Sequence, residues 1–161
     1  MEKLIDLTHI ISPTQAQRKF IVETVGAETV NHNVVRKQGQ WYIMSNISMV
    51  SHIGTHIEVP YHLFPDGYDL SEMPLDTFYG EAVLLDFSEI QKRIEITKEQ
   101  AIAAADKAGG IQPGDIVLCN LGYSHLYGQE GYSQSPYFST AAIEWLAEAG
   151  IKMMGVDAGG V

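Results

Sequence analysis

The 161 residues include only one cysteine, Cys119, so the chain can form no internal disulfide and no cysteine-based zinc site. Cys119 sits in the apolar run Ile116-Val117-Leu118-Cys119, which reads as a buried thiol. Basic residues are also scarce: Lys and Arg total 10 against 20 for Asp and Glu, a net charge of -10. That balance excludes the basic surface needed to neutralise nucleic-acid phosphates and disfavours docking on anionic lipid. No apolar run approaches the ~20 residues that a membrane helix needs. The opening Met1-Glu2-Lys3-Leu4-Ile5-Asp6 lacks the apolar stretch and cleavage pattern of a signal peptide, so a cytoplasmic location is the default expectation. Repeats, low-complexity tracts and linkers are missing too, which leaves one domain over residues 1–161. The remainder is ordinary: 45% hydrophobic and 19% charged, a composition that can pack a core. A small, neutral or weakly charged substrate suits the charge balance.

Strand signals dominate the first half, at Leu4 to Thr8, Phe20 to Val25 and Trp41 to Met49. Each is β-branched or aromatic and bounded by Gly, Pro or Asn. The second half alternates. A strand at Ala82 to Phe87 precedes a helix opened by the capping box Thr97-Lys98-Glu99-Gln100, which should stop near Gly109-Gly110. Asp115 to Leu121 is the next strand. A helix after Ser139 places Ala142, Trp145, Leu146 and Ala149 on one face and ends at Gly150; Ile151 to Asp157 forms the last strand. This order predicts an α/β fold with parallel pairing in the second half and mixed or antiparallel strands in the first. The stop at Gly159-Gly160-Val161, just past a strand, reads as a domain lacking its C-terminal part.

Three of the six histidines fall between positions 52 and 62, where random scatter would place about 0.4. The segment is His52-Ile53-Gly54-Thr55-His56-Ile57-Glu58-Val59-Pro60-Tyr61-His62. The spacings of His52, His56, Glu58 and His62 are all even, which puts them on one face of an extended chain. Ile53, Thr55, Ile57 and Val59 occupy the other face and suit packing into a sheet. A helix would turn Glu58 away and break at Pro60. A straight strand would hold His52 and His56 about 13 Å apart, too far for ~2 Å bonds to one ion. The chain must therefore bend, and Gly54 is the residue that allows it. Two imidazoles and a carboxylate make a facial metal-binding set with open positions. His62 is then a general base or a ligand to a second metal.

Other candidates carry weaker signals. His9 follows Leu4-Ile5-Asp6-Leu7-Thr8 and can face a site, although a histidine at a strand end is more often structural. His32 in Val30-Asn31-His32-Asn33 reads as a turn residue. Tyr123 and His125 lie just after a strand, where α/β folds place loops that contact substrate. The glycines of Asp157-Ala158-Gly159-Gly160 lack the spacing of a phosphate loop.

The run from His52 to His62 also resembles the signature of the cyclase family of metal-dependent hydrolases, which includes kynurenine formamidase (arylformamidase) and isatin hydrolase. That signature is His, any, Gly-Thr-His, any, Asp, any, Pro, any, His; here Glu58 stands at the Asp position. Asp6-Leu7-Thr8-His9, Gly114-Asp115-Ile116-Val117-Leu118 and Gly155-Val156-Asp157 resemble the family's opening motif, central strand and late strand. The resemblance implies a swivelling β/β/α domain that forms a homodimer, with zinc or manganese held by His52, His56 and Glu58. It makes His62 catalytic or a second-metal ligand, and it implies a further His and Glu from a C-terminal part beyond residue 161.

The leading functional expectation is hydrolysis of an N-formyl aryl amine or a cyclic amide by metal-activated water. One alternative is a non-catalytic metal-binding or interaction module on a truncated hydrolase fold. The other is a non-haem iron oxygenase, which also uses two histidines and a carboxylate but usually draws one histidine from a distant strand.

Overall fold

A computed structural model describes residues 4–14 and 18–160. The chain forms two compact units, Met1–Glu58 and Val59–Val161.

In the first unit, β1 (Phe20–Gly26) pairs antiparallel with β2 (Ile43–Met49), in a register running from Phe20 opposite Met49 to Gly26 opposite Ile43. Between them lies the single turn α1 (Ala27–Val30), whose buried Ala27 donates its N–H to the Tyr42 carbonyl at 3.1 Å. His32 falls in a turn, as expected, and the Asn33 N–H closes it on the Asn31 side chain at 3.0 Å. Trp41 and Tyr42 precede β2 and are 83% and 56% exposed.

The strand expected at Leu4 to Thr8 is not formed. Asp6 accepts both the N–H and the hydroxyl of Thr8, at 2.9 and 2.6 Å. This local turn competes with strand pairing, because the side chain takes the amide a neighbouring strand would need.

The second unit is built on a parallel sheet of β3 (Ala82–Asp86), β5 (Ile116–Asn120) and β7 (Met153–Val156), in the order β3-β5-β7. A short parallel pair, β4 (Glu95–Ile96) with β6 (Tyr137–Phe138), flanks it and was not anticipated; two residues per strand leave no periodic signal. Helix α2 (Lys98–Ala108) carries the expected capping box: Gln100 N–H donates to Thr97 Oγ1, and Thr97 N–H donates to Gln100 Oε1. It ends at Gly109, and α3 (Thr140–Glu148) starts on the Ser139 side chain, which accepts the Ala142 N–H at 3.1 Å.

Leu85, Val117, Cys119, Ile96, Ala101 and Leu146 form the core of this unit, closed by an edge-to-face pair of Phe87 and Phe138 at 5.3 Å. Each fully buried Leu or Val contributes about 1.5–3 kcal/mol of apolar transfer free energy. Residues 59–81 hold no strand. Pro60 and Pro74 precede or open one-turn 3-10 helices at Pro60–His62 and Leu75–Phe78, and Asp69 turns the chain by accepting from Ser71.

The fold is thus α/β with antiparallel and parallel pairing, held in separate sheets. Among the described residues, no helix is long and apolar enough to cross a membrane.

Candidate metal centre

The segment after β2 leaves the sheet and bends. Gly54 has φ +63°, a left-handed conformation that glycine adopts without the Cβ penalty other residues meet. The bend turns His52 and His56 towards each other. His52 Nδ1 and His56 Nε2 stand 3.3 Å apart, and Glu58 Oε1 lies 2.8 Å from the former and 3.4 Å from the latter. Bonds of ~2.0–2.1 Å to one ion at tetrahedral angles place donor atoms about 3.3 Å apart, so the three donors fit a single small divalent cation. Among the described residues, His52, His56 and Glu58 form the one group of His, Cys, Asp or Glu with this convergence.

The bend also sets a tautomer. His56 Nδ1 lies 2.9 Å from the Gly54 carbonyl. A carbonyl can only accept, so Nδ1 carries the proton and Nε2 presents its lone pair to the other donors. Two contacts hold the segment from outside. The Arg18 guanidinium donates to the His52 carbonyl at 2.8 Å, and the His9 N–H donates to Thr55 Oγ1 at 3.1 Å. His9 therefore supports the bend through its backbone. Arg18 had no sequence signal, because its partner is a carbonyl 34 residues away.

The side chains of His52, His56 and Glu58 are 29%, 31% and 52% exposed, so a ligand can reach them. The residues between them do not pack into a sheet as expected. Ile53 is buried, but Ile57 is 50% exposed, because residues 51–59 lie in no strand and have no neighbouring strand to cover that face.

The Cyclase family model matches residues 5–161. The chain belongs to the Cyclase family. A kynurenine formamidase from Erythrobacter litoralis is 29% identical over 115 residues, covering 71% of this chain and 49% of the relative. The chain thus spans about half of that protein's length. Isatin hydrolase A from Labrenzia aggregata, solved with benzyl benzoate bound, superposes with a TM-score of 0.73 at 25% identity, over 97% of this chain and 68% of that one. Isatin hydrolase A from Ralstonia solanacearum shares the fold, with a TM-score of 0.76 at 21% identity over 96% of this chain and 66% of that one.

Within this Cyclase chain three further candidates, His62, Tyr123 and His125, belong to the second unit. His62 ends the 3-10 turn Pro60–His62 at the start of the second unit and is exposed. Tyr123 and His125 occupy the loop after β5. The Tyr123 phenol donates to the Gln134 carbonyl at 3.2 Å, and the His125 carbonyl accepts from Gln129 Nε2 at 3.0 Å. Tyr123 lines a cavity of about 350 Å³ together with Lys92, Leu126, Glu130, Gly131 and Gln134. Cys119 is 2% exposed, and burial, with help from the Asp157 charge, pushes its thiol up to about 12. It is therefore inert as a nucleophile or ligand near neutral pH.

Proposed function

We propose that this chain carries the metal site of a hydrolase that cleaves the amide bond of an N-formyl aryl amine or a cyclic amide. The convergence of His52, His56 and Glu58 around one point, with His56 Nδ1 on the Gly54 carbonyl and its Nε2 turned to the other two, carries the reading. Membership of a family with kynurenine formamidase and isatin hydrolase among its similar proteins supports the reaction class.

In this reading His52, His56 and Glu58 hold zinc or manganese. When bound, such a cation supplies Lewis acidity that brings the pKa of a water towards neutrality and polarises a carbonyl. The carboxylate of Glu58 would offset one positive charge of the cation, and with the two imidazoles it would supply three of the donors such a cation takes. His62 is assigned proton transfer on its motif position, four residues after Glu58 and beyond Pro60. Its imidazole takes a proton from the attacking water and returns one to the leaving nitrogen. The carbon–nitrogen bond breaks, the acyl carbon gains the water oxygen, and the amine leaves neutral. The protein works as a cytoplasmic homodimer, and the exposed Trp41, Tyr42 and Ile47 of the first unit support a covered face.

The test is metal content measured beside hydrolysis of an N-formyl aryl amine and of isatin, before and after chelation. About one equivalent of metal, activity lost on chelation, and recovery with zinc or manganese is the expected result. Metal bound at one equivalent with neither substrate hydrolysed would reduce the protein to a non-catalytic metal-binding module.

A further inference from the structure

Four consecutive backbone amides in the loop after β5 donate to side-chain oxygens. Leu121 N–H reaches Asp157 Oδ1 at 2.6 Å, and Gly122 N–H reaches Asn120 Oδ1 at 3.0 Å. Tyr123 and Ser124 N–H both reach Asp157 Oδ2, at 2.9 and 3.1 Å. Successive amides pointing into one concavity make an anion-binding nest. In this chain the anion is internal: the carboxylate that follows β7. A second tie crosses to the neighbouring strand, where Asn120 Nδ2 donates to Asp86 Oδ1 at 3.0 Å. The ends of β3, β5 and β7 are therefore cross-linked by Asp86, Asn120 and Asp157.

The conformation this clamp imposes is specific. Gly122 has φ +78°, and a Cβ there would meet Ser88 Cβ at 3.3 Å. Tyr123 is fixed at both ends, its amide on Asp157 and its phenol on the Gln134 carbonyl. The loop lies at the carboxyl ends of a parallel sheet, where open α/β sheets bind ligands, and Tyr123 and Leu126 line the cavity beside it.

We propose that Asp157 is a positioning residue for substrate binding: its carboxylate holds the Leu121–Ser124 backbone so that Tyr123 keeps its place in the cavity wall and meets the aromatic part of the substrate there. The proposal deepens the hydrolase reading and rests on it for the identity of the ligand. Asp157 acts through the loop, and losing it should weaken binding more than turnover.

The experiment compares wild type with Asp157→Asn and Asp157→Ala, each with its full metal complement. Asn keeps the volume but replaces one carboxylate oxygen by an NH2 that faces amide donors. Hydrogen exchange should accelerate at residues 121–124 and leave β5 and β7 protected. KM should rise about tenfold or more, as expected for losing charge-assisted hydrogen bonds, while kcat changes less than threefold. Acetate should restore protection and KM in Asp157→Ala, by refilling the nest, and should not do so in Asp157→Asn.

Unchanged KM in both variants overturns the proposal. So does exchange that accelerates across β5 and β7 without acetate rescue, or failure of both variants to fold, since Asp157 would then serve the fold as a whole. A wild type that hydrolyses neither substrate sinks the hydrolase reading instead. In that case, the confinement of exchange to residues 121–124 and its reversal by acetate still decide whether Asp157 positions this loop.

Discussion

Replacing Gly54 tests whether the bend is what assembles the donor set. Gly54 sits at φ +63°, where an L side chain costs about 1–2 kcal/mol. The bend brings His52 Nδ1 and His56 Nε2 to 3.3 Å, against the ~13 Å of a straight strand. Opposing the strain in Gly54→Ala are two hydrogen bonds, Arg18 to the His52 carbonyl and His9 N–H to Thr55, each worth about 1 kcal/mol net. Strain and restraint are therefore comparable, and the metal-free segment partly relaxes. Binding metal must then re-impose the bend, so affinity should fall about 5–30-fold, the equivalent of 1–2 kcal/mol. Competition against a chelator of known affinity measures this directly. Thermal melts should agree: at saturating metal, Tm drops by about 2–8 °C for a chain of this size. Asn tolerates the left-handed region better than Ala, and Val tolerates it worse, so affinity should rank Gly, Asn, Ala, Val. Equal affinity across the four would refute the reasoning, because the bend would then be set by something other than residue 54.

The other predictions are as direct. His56→Ala should strip most bound metal, whereas His62→Ala should keep the first metal and lower turnover by about 10²–10⁴-fold; metal analysis beside kinetics separates them, and loss of all metal in His62→Ala would make His62 a ligand. Cys119 has a folded pKa pushed up to about 12, above its unfolded value of about 8.5. The fold thus favours the neutral thiol, and that contribution is complete below the unfolded value. It is lost as pH rises towards 12, at about 1.4 kcal/mol per pH unit. Urea melts from pH 8 to 11 should show this slope in wild type and lose it in Cys119→Ala; identical slopes would contradict a buried neutral thiol. Light scattering should return a dimer, and a monodisperse monomer would remove the proposed role of the exposed Trp41 and Tyr42.

What the sequence made legible depends on the range of the interactions involved. The α2 capping box was readable because Thr97 and Gln100 satisfy each other three residues apart. The strands β1, β2, β3, β5 and β7 were readable from composition and their bounding residues, and the parallel pairing of β3, β5 and β7 followed from their alternation with helices. The bend at Gly54 followed from ligand spacing alone. Leu4 to Thr8 misled because its apolar residues suggested a strand, whereas Asp6 turns the chain onto Thr8. Ile57 misled because alternation implies a covered face only when a neighbouring strand exists. The supports from Arg18 and Asp157 were invisible for a common reason. Each is a side chain bound to main-chain groups 33–36 residues away, and main-chain partners leave no trace in residue identity.

The distance between the Asp157 carboxylate and its amides also sets an order of events during synthesis. Ser124 leaves the ribosome 33 residues before Asp157, and Leu121 leaves 36 before it. At ~5–20 residues per second, the loop spends roughly 2–7 s without its clamp. During that interval β3 and β5 can already pair, but the Leu121, Tyr123 and Ser124 amides face water or any passing anion in place of Asp157. A nascent chain stalled before β7 therefore carries a paired β3 and β5 with an unset loop, open to proteases at residues 121–124. Completion of β7 closes that window, so the last strand of the parallel sheet acts as the timer for the loop that β5 delivers first.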